Sequence, residues 1–459
     1  MELNAKQRLA MIVFICFAWT SGRAAADERA EIAQPRLRVI VETDAGGDPD
    51  DEQSLVRFLL YANEWDVEGI IANRPTARDG ENRNPERTGL GIVRRLVKAY
   101  TECHPSLARH DARYPKPEAL LKVCVAGYDD VEDGVNLLIA AVDRPDPRPV
   151  WYSDWGSDKG SSENNLKRAL DRVLKERGTE GYAKFKGRLR LVSSDKFGEH
   201  TEKVEPPFPL LVESTVPEID RRRWYHRFSP LTAKAGGFDL ERDVRTGHGP
   251  LGAMYPTNTT MPQKEGDTLY FLHLVPNGLS DPAQPTWGSW GGRLGSNEKR
   301  GKRPYYWANQ QDTVGGTKSR DNTLARWAVD IQNDFRARLD WCVKGPAKAN
   351  HAPAARLMGW PEKHVVRMKV APGTLVKLDA SESTDRDRNG LRYEWFVYPE
   401  AGTHRGEAKL DGAATARCAV KVPADAAEES IHVVLALRDD GTPRLASYRR
   451  LVIEVEAGR

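Results

Sequence analysis

The chain has 459 residues, room for two or three domains at about 150 residues each, and 39% hydrophobic with 29% charged side chains is a globular composition. That excludes a disordered or collagen-like chain. The 69 Lys and Arg nearly balance 66 Asp and Glu, for a net charge of +3, and no short block is dominated by basic residues, so the electrostatic footprint of a nucleic-acid partner is absent.

The first element is a targeting segment. Lys6 and Arg8 precede an apolar run from Leu9 to Thr20, and Ala24, Ala25 and Ala26 stand before Asp27. This order predicts a signal peptide over 1–26, cleaved near Ala26, and a secreted or periplasmic protein. Loss of Lys6, Arg8, Arg23 and Glu2 takes the net charge from +3 to +1. A membrane span needs about 20 apolar residues, which no later stretch approaches, so no membrane anchor is expected. Cys16 leaves with the signal and lacks the small residues that precede a lipidated cysteine. Cys103 and Cys124 share a turn-rich segment where they either pair in an oxidising compartment or stay free. No Cys-x-x-Cys is present, which disfavours a zinc or thioredoxin-like site.

From Arg36 to about Asp340, short β-branched runs alternate with helical periodicity. Leu37–Val41 is a strand, Glu52–Ala62 a helix with Leu55, Val56, Leu59 and Leu60 on one face, and Val67–Ala72 a second strand. Strand, helix, strand is a βαβ unit and implies a parallel sheet. Helices are predicted at 89–99, 135–142 and 165–175, and strands at 149–153, 189–193 and 269–275. The first domain, 36–343, is therefore α/β and doubly wound. Trp287, Trp290 and Trp307 sit among glycines, either as a platform for flat sugar faces or as plugs packed onto the domain body. Residues 344–356, rich in Ala, Lys and Pro, form a linker. Six short strands then predict an immunoglobulin-like β-sandwich over 357–459. Its turn Asp385-Arg386-Asp387-Arg388-Asn389-Gly390 mimics the start of a calcium loop, but position twelve is Phe396, so it reads as a plain turn.

The strongest chemical signal is Glu42-Thr43-Asp44-Ala45-Gly46-Gly47-Asp48-Pro49-Asp50-Asp51, between the first strand and the first helix. Four crowded aspartates repel one another, and a hard divalent cation compensates them. Open parallel sheets bind ligands beyond the carboxyl ends of their strands, where this loop lies. The alternative is that Asp48 or Asp50 caps the helix while the rest face water.

This loop resembles the aspartate signature of the inosine-uridine-preferring nucleoside hydrolases. The longer string from Thr43 through Asp51 with Gln53-Ser54-Leu55-Val56-Arg57 is still more similar to bacterial cellulose-binding proteins that carry a nucleoside hydrolase-like domain. Arg148-Pro149-Val150-Trp151, Gly249 to Pro256, Glu265-Gly266-Asp267-Thr268, Pro276 to Leu279, Trp290-Gly291-Gly292-Arg293 and Gln332 to Phe335 through Trp341-Cys342 extend the resemblance over about 36–455. It implies a nucleoside hydrolase-like fold with a calcium (Ca2+) site. Asp44 is then the catalytic residue and a metal ligand, with Asp48, Asp51 and Asp267 as further ligands and Asp50 on the sugar hydroxyls. A strand-end carbonyl near Asp154 or Trp155 completes the shell. His248 and His273 are candidates for protonating a leaving group, with an ordinary structural role as the alternative. His248, Trp287 and Trp290 join Asp50 as substrate-binding candidates.

The loop is two residues longer than the hydrolase signature, so Asp48, Asp50 and Asp51 compete for the metal. The expectation is an exported calcium-dependent hydrolase of N-glycosyl or other glycosyl bonds, acting on a nucleoside or carbohydrate through activated water. The alternative is a non-catalytic cellulose- or polysaccharide-binding protein.

Overall fold

Strand β1 (Leu37–Thr43) is buried from Arg38 onward, with Val39 and Val41 in one apolar cluster and Ile40 in another. Alternate side chains of a strand point to opposite faces, so this one is covered on both sides, as a parallel sheet requires. The computed structural model describes residues 35–80, 82–128, 130–156, 164–193, 205–213, 224–257, 261–360 and 363–458. The signal peptide expected at 1–26 lies outside them.

Helix α1 (Asp50–Leu60) follows β1, and β2 (Trp65–Ala72), α2 (Gly89–His110), β3 (Cys124–Ala126), α3 (Asp133–Asp143), β4 (Val150–Asp154), α4 (Asn165–Gly187), β5 (Leu189–Ser193) and β6 (Leu211–Glu213) come after it. With β7 (Gly295–Ser296) and β8 (Tyr305–Trp307) they build a sheet in the order β3-β2-β1-β4-β5-β6-β8-β7. Neighbours run parallel except β7 with β8. The chain steps from β1 to β2 on one side and later to β4 on the other. The winding reverses at β1, and a crevice opens beyond the ends of β1 and β4.

One expected strand is a helix. Residues 269–275 have a continuous apolar run, but Thr268–Leu272 forms a short helix, α5, after Asp267. Leu269, Tyr270, Phe271 and Leu272 are all inaccessible to water. A helical turn buried on every side has no polar face, so its sequence cannot be told from a buried strand by period. The cysteines also differ from one expectation. Cys124 lies in β3 with its thiol donating to the Leu120 carbonyl, while Cys103 of α2 faces Cys342 instead.

After a hairpin of β9 (Asp312–Val314) and β10 (Thr317–Ser319), helix α6 (Ala328–Trp341) closes the first domain. The stretch 344–356 is packed against its surroundings: Asn350 donates to Asp439 and the Pro443 carbonyl, and its own carbonyl accepts from Trp341. The terminal β-sandwich has one sheet of β11 (Val366–Val370), β13 (Leu391–Val397), β16 (Ser430–Asp439) and β17 (Ala446–Val455). The other holds β12 (Leu375–Asp379), β14 (Leu410–Asp411) and β15 (Arg417–Lys421). Val433, Leu435 and Leu437 face the sandwich core, whereas Val434, Ala436 and Tyr448 join the core of the first domain. Residues 36–459 are thus one compact unit with a shared apolar seam. Among the described residues no helix is long and apolar enough to cross a membrane.

Candidate functional site

The acidic loop turns at once on leaving β1. The amide of Gly47 donates to the Asp44 carbonyl at 3.0 Å, and Gly46 sits at φ +100°, a conformation that glycine adopts without strain. Asp48 Oδ1 accepts from the Asp50 amide at 3.1 Å, which starts α1. Thr43 Oγ1 donates to Asp51. Under the loop, the Glu42 carboxylate gathers donors from Asn73, Asn165 and Tyr152, tying the ends of β1, β2 and β4 to the start of α4.

Asp267 comes from far along the chain, and a buried network brings it to the loop. Gln53 Oε1 accepts from the amides of Lys264 and Glu265 at 2.7 and 3.0 Å, and its amide donates to the carbonyls of Pro256 and Pro262. Thr268 Oγ1 donates to Ser54 Oγ at 3.2 Å. Arg57 forks onto Glu265, which also accepts from Tyr255 and Gln263. Glu265 has φ +44°, a left-handed conformation that a non-glycine residue keeps only when its surroundings over-determine it. Phe58 packs edge-on to Phe271 at 5.5 Å and to Trp155 at 5.9 Å, which fixes α1 against α5 and the end of β4.

The result is a cluster of carboxylates. Asp50, Asp51 and Asp267 each present an oxygen within 4.8 Å of the others. Asp44 lies close enough for its charge to act on Asp51, and its Oδ2 lies 3.9 Å from Arg74 Nη1. Burial raises the pKa of Asp44, and it raises Asp50, Asp51 and Asp267 well above the usual carboxylate range. The charge of Asp267 adds to the burial of Asp51, and that of Asp50 to the burial of Asp267. Asp48 stands apart: hydrogen bonds from Asp50 and Lys264 outweigh its burial and lower its pKa. Lys264 Nζ pairs with Asp48 and lies 2.9 Å from Asp50 Oδ2.

These residues fit a hard divalent cation. Asp267 Oδ2 is buried with no hydrogen-bond partner among the described residues, and the donor set is all carboxylate oxygen, the chemistry calcium prefers. Asp44 is more open to water than Asp50, with 21% of its side chain exposed against 10%, and Asp48, paired with Lys264, is more open still at 28%. A cavity of about 300 Å3 is lined by Pro49, Glu52, Asn82, Asn84, Met254 and Tyr255 among others, residues that flank the loop, and none of the clustered aspartates lines it.

The other candidates lie elsewhere. Trp287 packs edge-on to His432 at 5.0 Å beneath Arg367, and Trp290 donates to Tyr448 at 3.4 Å, so both indoles are covered by the sandwich. Trp307 is buried in β8. His248 is held by the Arg242 carbonyl at 3.0 Å and lies 3.4 Å from Asp340, at the far end of α6. His273 is buried between Ser289 and the Pro282 carbonyl. The Asp385 turn is closed by its own carboxylate, which accepts from the Asp387 and Asn389 amides. Lys264 escaped the sequence reading, because a lone lysine three residues before Asp267 carries no spacing signal.

Comparison with known proteins agrees with this fold. Residues 38–294 match a family model described as cellulose-binding Sde182, nucleoside hydrolase-like domain, and residues 375–455 match the C-terminal domain of cellulose-binding protein Sde0182. No curated protein matches. A solved structure of a nucleoside hydrolase-related hypothetical protein from Saccharophagus degradans, described as associated with carbohydrate metabolism, is 31% identical with a TM-score of 0.73. That alignment covers 92% of this chain and 100% of the other. Shorter alignments join 21% of the chain to a PKD domain (17% identity, 84% of that chain, TM-score 0.16) and 23% to human CDH23 EC21-23 (15% identity, 33% of that chain, TM-score 0.17).

Proposed function

The chain belongs to the cellulose-binding Sde182 family with its nucleoside hydrolase-like domain, and from that premise we propose that it is an exported, calcium-dependent hydrolase of N-glycosyl or other glycosyl bonds. One observation carries the reading: Asp50, Asp51 and Asp267 converge within 4.8 Å, and Asp267 keeps a buried oxygen with no partner among the described residues.

Asp50, Asp51 and Asp267 would hold the ion, with Asp44 beside them. Calcium, when bound, supplies charge that acidifies water and offsets the buried carboxylates. Asp44 accepts the proton of the attacking water, a task suited to a carboxylate more open to water than Asp50 and not tied up by Lys264. Lys264 holds Asp48 and Asp50 in place, and Glu42 fixes the strand ends beneath them. The sugar docks over the loop, in line with the placement of ligands at a reversal of strand order.

The test is to incubate the protein with a panel of nucleosides and oligosaccharides, with calcium and with a chelator, and assay released sugar. Calcium-dependent release that Asp44→Ala abolishes while the fold survives is the expected result. Release unchanged by that substitution overturns the assignment of Asp44.

A second reading, polysaccharide binding without turnover, is favoured by the cellulose-binding description of the family. It predicts retention on insoluble cellulose with no sugar released from any substrate. The calcium site is common to both readings, and turnover separates them.

A further inference from the structure

Cys103 and Cys342 are distant in sequence and meet where α2 passes the end of α6. Both are buried, at 1% and 6% exposure. A methyl group built on Gly249 would lie 3.4 Å from Cys103 Sγ and 3.7 Å from Cys342 Cβ, so a single small residue spans the two side chains. The two thiols lie close enough that each perturbs the ionisation of the other. Cys124 and Cys418 have no such neighbour: the first bonds the Leu120 carbonyl from β3, and the second lies in β15 of the sandwich.

We propose that Cys103 and Cys342 form a disulfide when the protein folds in an oxidising compartment. Thiol–disulfide exchange with a dithiol oxidase or oxidised glutathione supplies the chemistry. The thiolate of one cysteine attacks the oxidant's disulfide to give a mixed disulfide, and the other cysteine then displaces the remaining oxidant sulfur. Two S–H bonds are lost and one S–S bond is formed. Two electrons and two protons leave with the oxidant as a pair of thiols.

The bond would secure the junction of the two domains. About half of the chain lies between the two cysteines, and a cross-link over a longer loop removes more freedom from the unfolded chain. The same two elements carry a clasp onto the sandwich. His110 of α2 stacks on Trp341 at 5.1 Å, Trp341 stacks on His351 at 5.1 Å, and His351 hydrogen-bonds both His110 and Asp387. Holding Cys342 on α2 keeps Trp341 in this stack.

The full chain, refolded in a glutathione redox buffer, is alkylated with iodoacetamide and mapped by non-reducing peptide mass spectrometry. A linked pair of Cys103 and Cys342 peptides, with Cys124 and Cys418 alkylated, is the expected result. Alkylation of all four, or linkage of Cys103 to Cys124, overturns the proposal. Dithiothreitol should lower the melting temperature of the oxidised wild type by about 5 °C or more and leave Cys103→Ser/Cys342→Ser unmoved. An equal response of both proteins also overturns it. The mass-spectrometric readout uses the wild type alone, so it stands even if the double variant does not fold.

Discussion

Arg57 reaches from the first helix to Glu265, with Nη2 at 3.1 Å from Oε1 and both side chains wholly buried. Only Gly266 separates Glu265 from Asp267, so this ion pair sets the distance between the acidic loop and its remote carboxylate. Arg57 also donates to Gln332 and lies over the Phe335 ring at 3.6 Å, which brings α6 into the same knot. Removing one partner of a buried pair leaves the other charge uncompensated. Arg57→Met should therefore cost about 3–5 kcal/mol in urea unfolding, whereas a loss below about 1 kcal/mol would show that the pair is dispensable.

The tryptophans of the Gly-rich loop should behave as structural residues. Trp290 is 2% exposed and packs edge-on to Tyr448 at 6.3 Å, where the sandwich covers the first domain. Trp290→Ala should destabilise the protein by about 3–5 kcal/mol, as measured by denaturant titration. A variant of native stability that no longer binds cellulose would instead restore the role of an exposed platform.

His273 gives a pH dependence with a defined sign. Burial lowers its pKa from 6.5 to about 4, partly opposed by the Pro282 carbonyl. The unfolded chain takes up a proton in that window before the folded one does. Its contribution is complete above pH about 6.5 and is lost as pH falls toward about 4, a change of about 3 kcal/mol. Unfolding free energies measured across that range should fall more steeply in the wild type than in His273→Gln. Parallel curves would mean that His273 does not set the slope.

The doubly wound sheet was legible because β1, α1 and β2 carry distinct periods, and the loop because four aspartates crowd one strand end. Quoted motifs also proved to be contacts: Gln53, Ser54 and Arg57 lock onto Lys264, Glu265 and Thr268. What could not be read was the short helix after Asp267, where burial on all sides erases the period. Nor could spacing sort the aspartates. Only the fold shows that Lys264 touches both Asp48 and Asp50 while Asp50 alone of the two converges with Asp51 and Asp267. Composition likewise cannot tell an indole that faces a ligand from one that faces a second domain, as Trp287 and Trp290 do.

Calorimetric titration of the metal-free protein with calcium tests the account at its centre. The convergence of Asp50, Asp51 and Asp267 predicts one calcium ion per chain, with binding weakened by about tenfold or more in Asp267→Asn. Wild-type protein that takes up no calcium, or a variant that binds it equally well, would contradict the account.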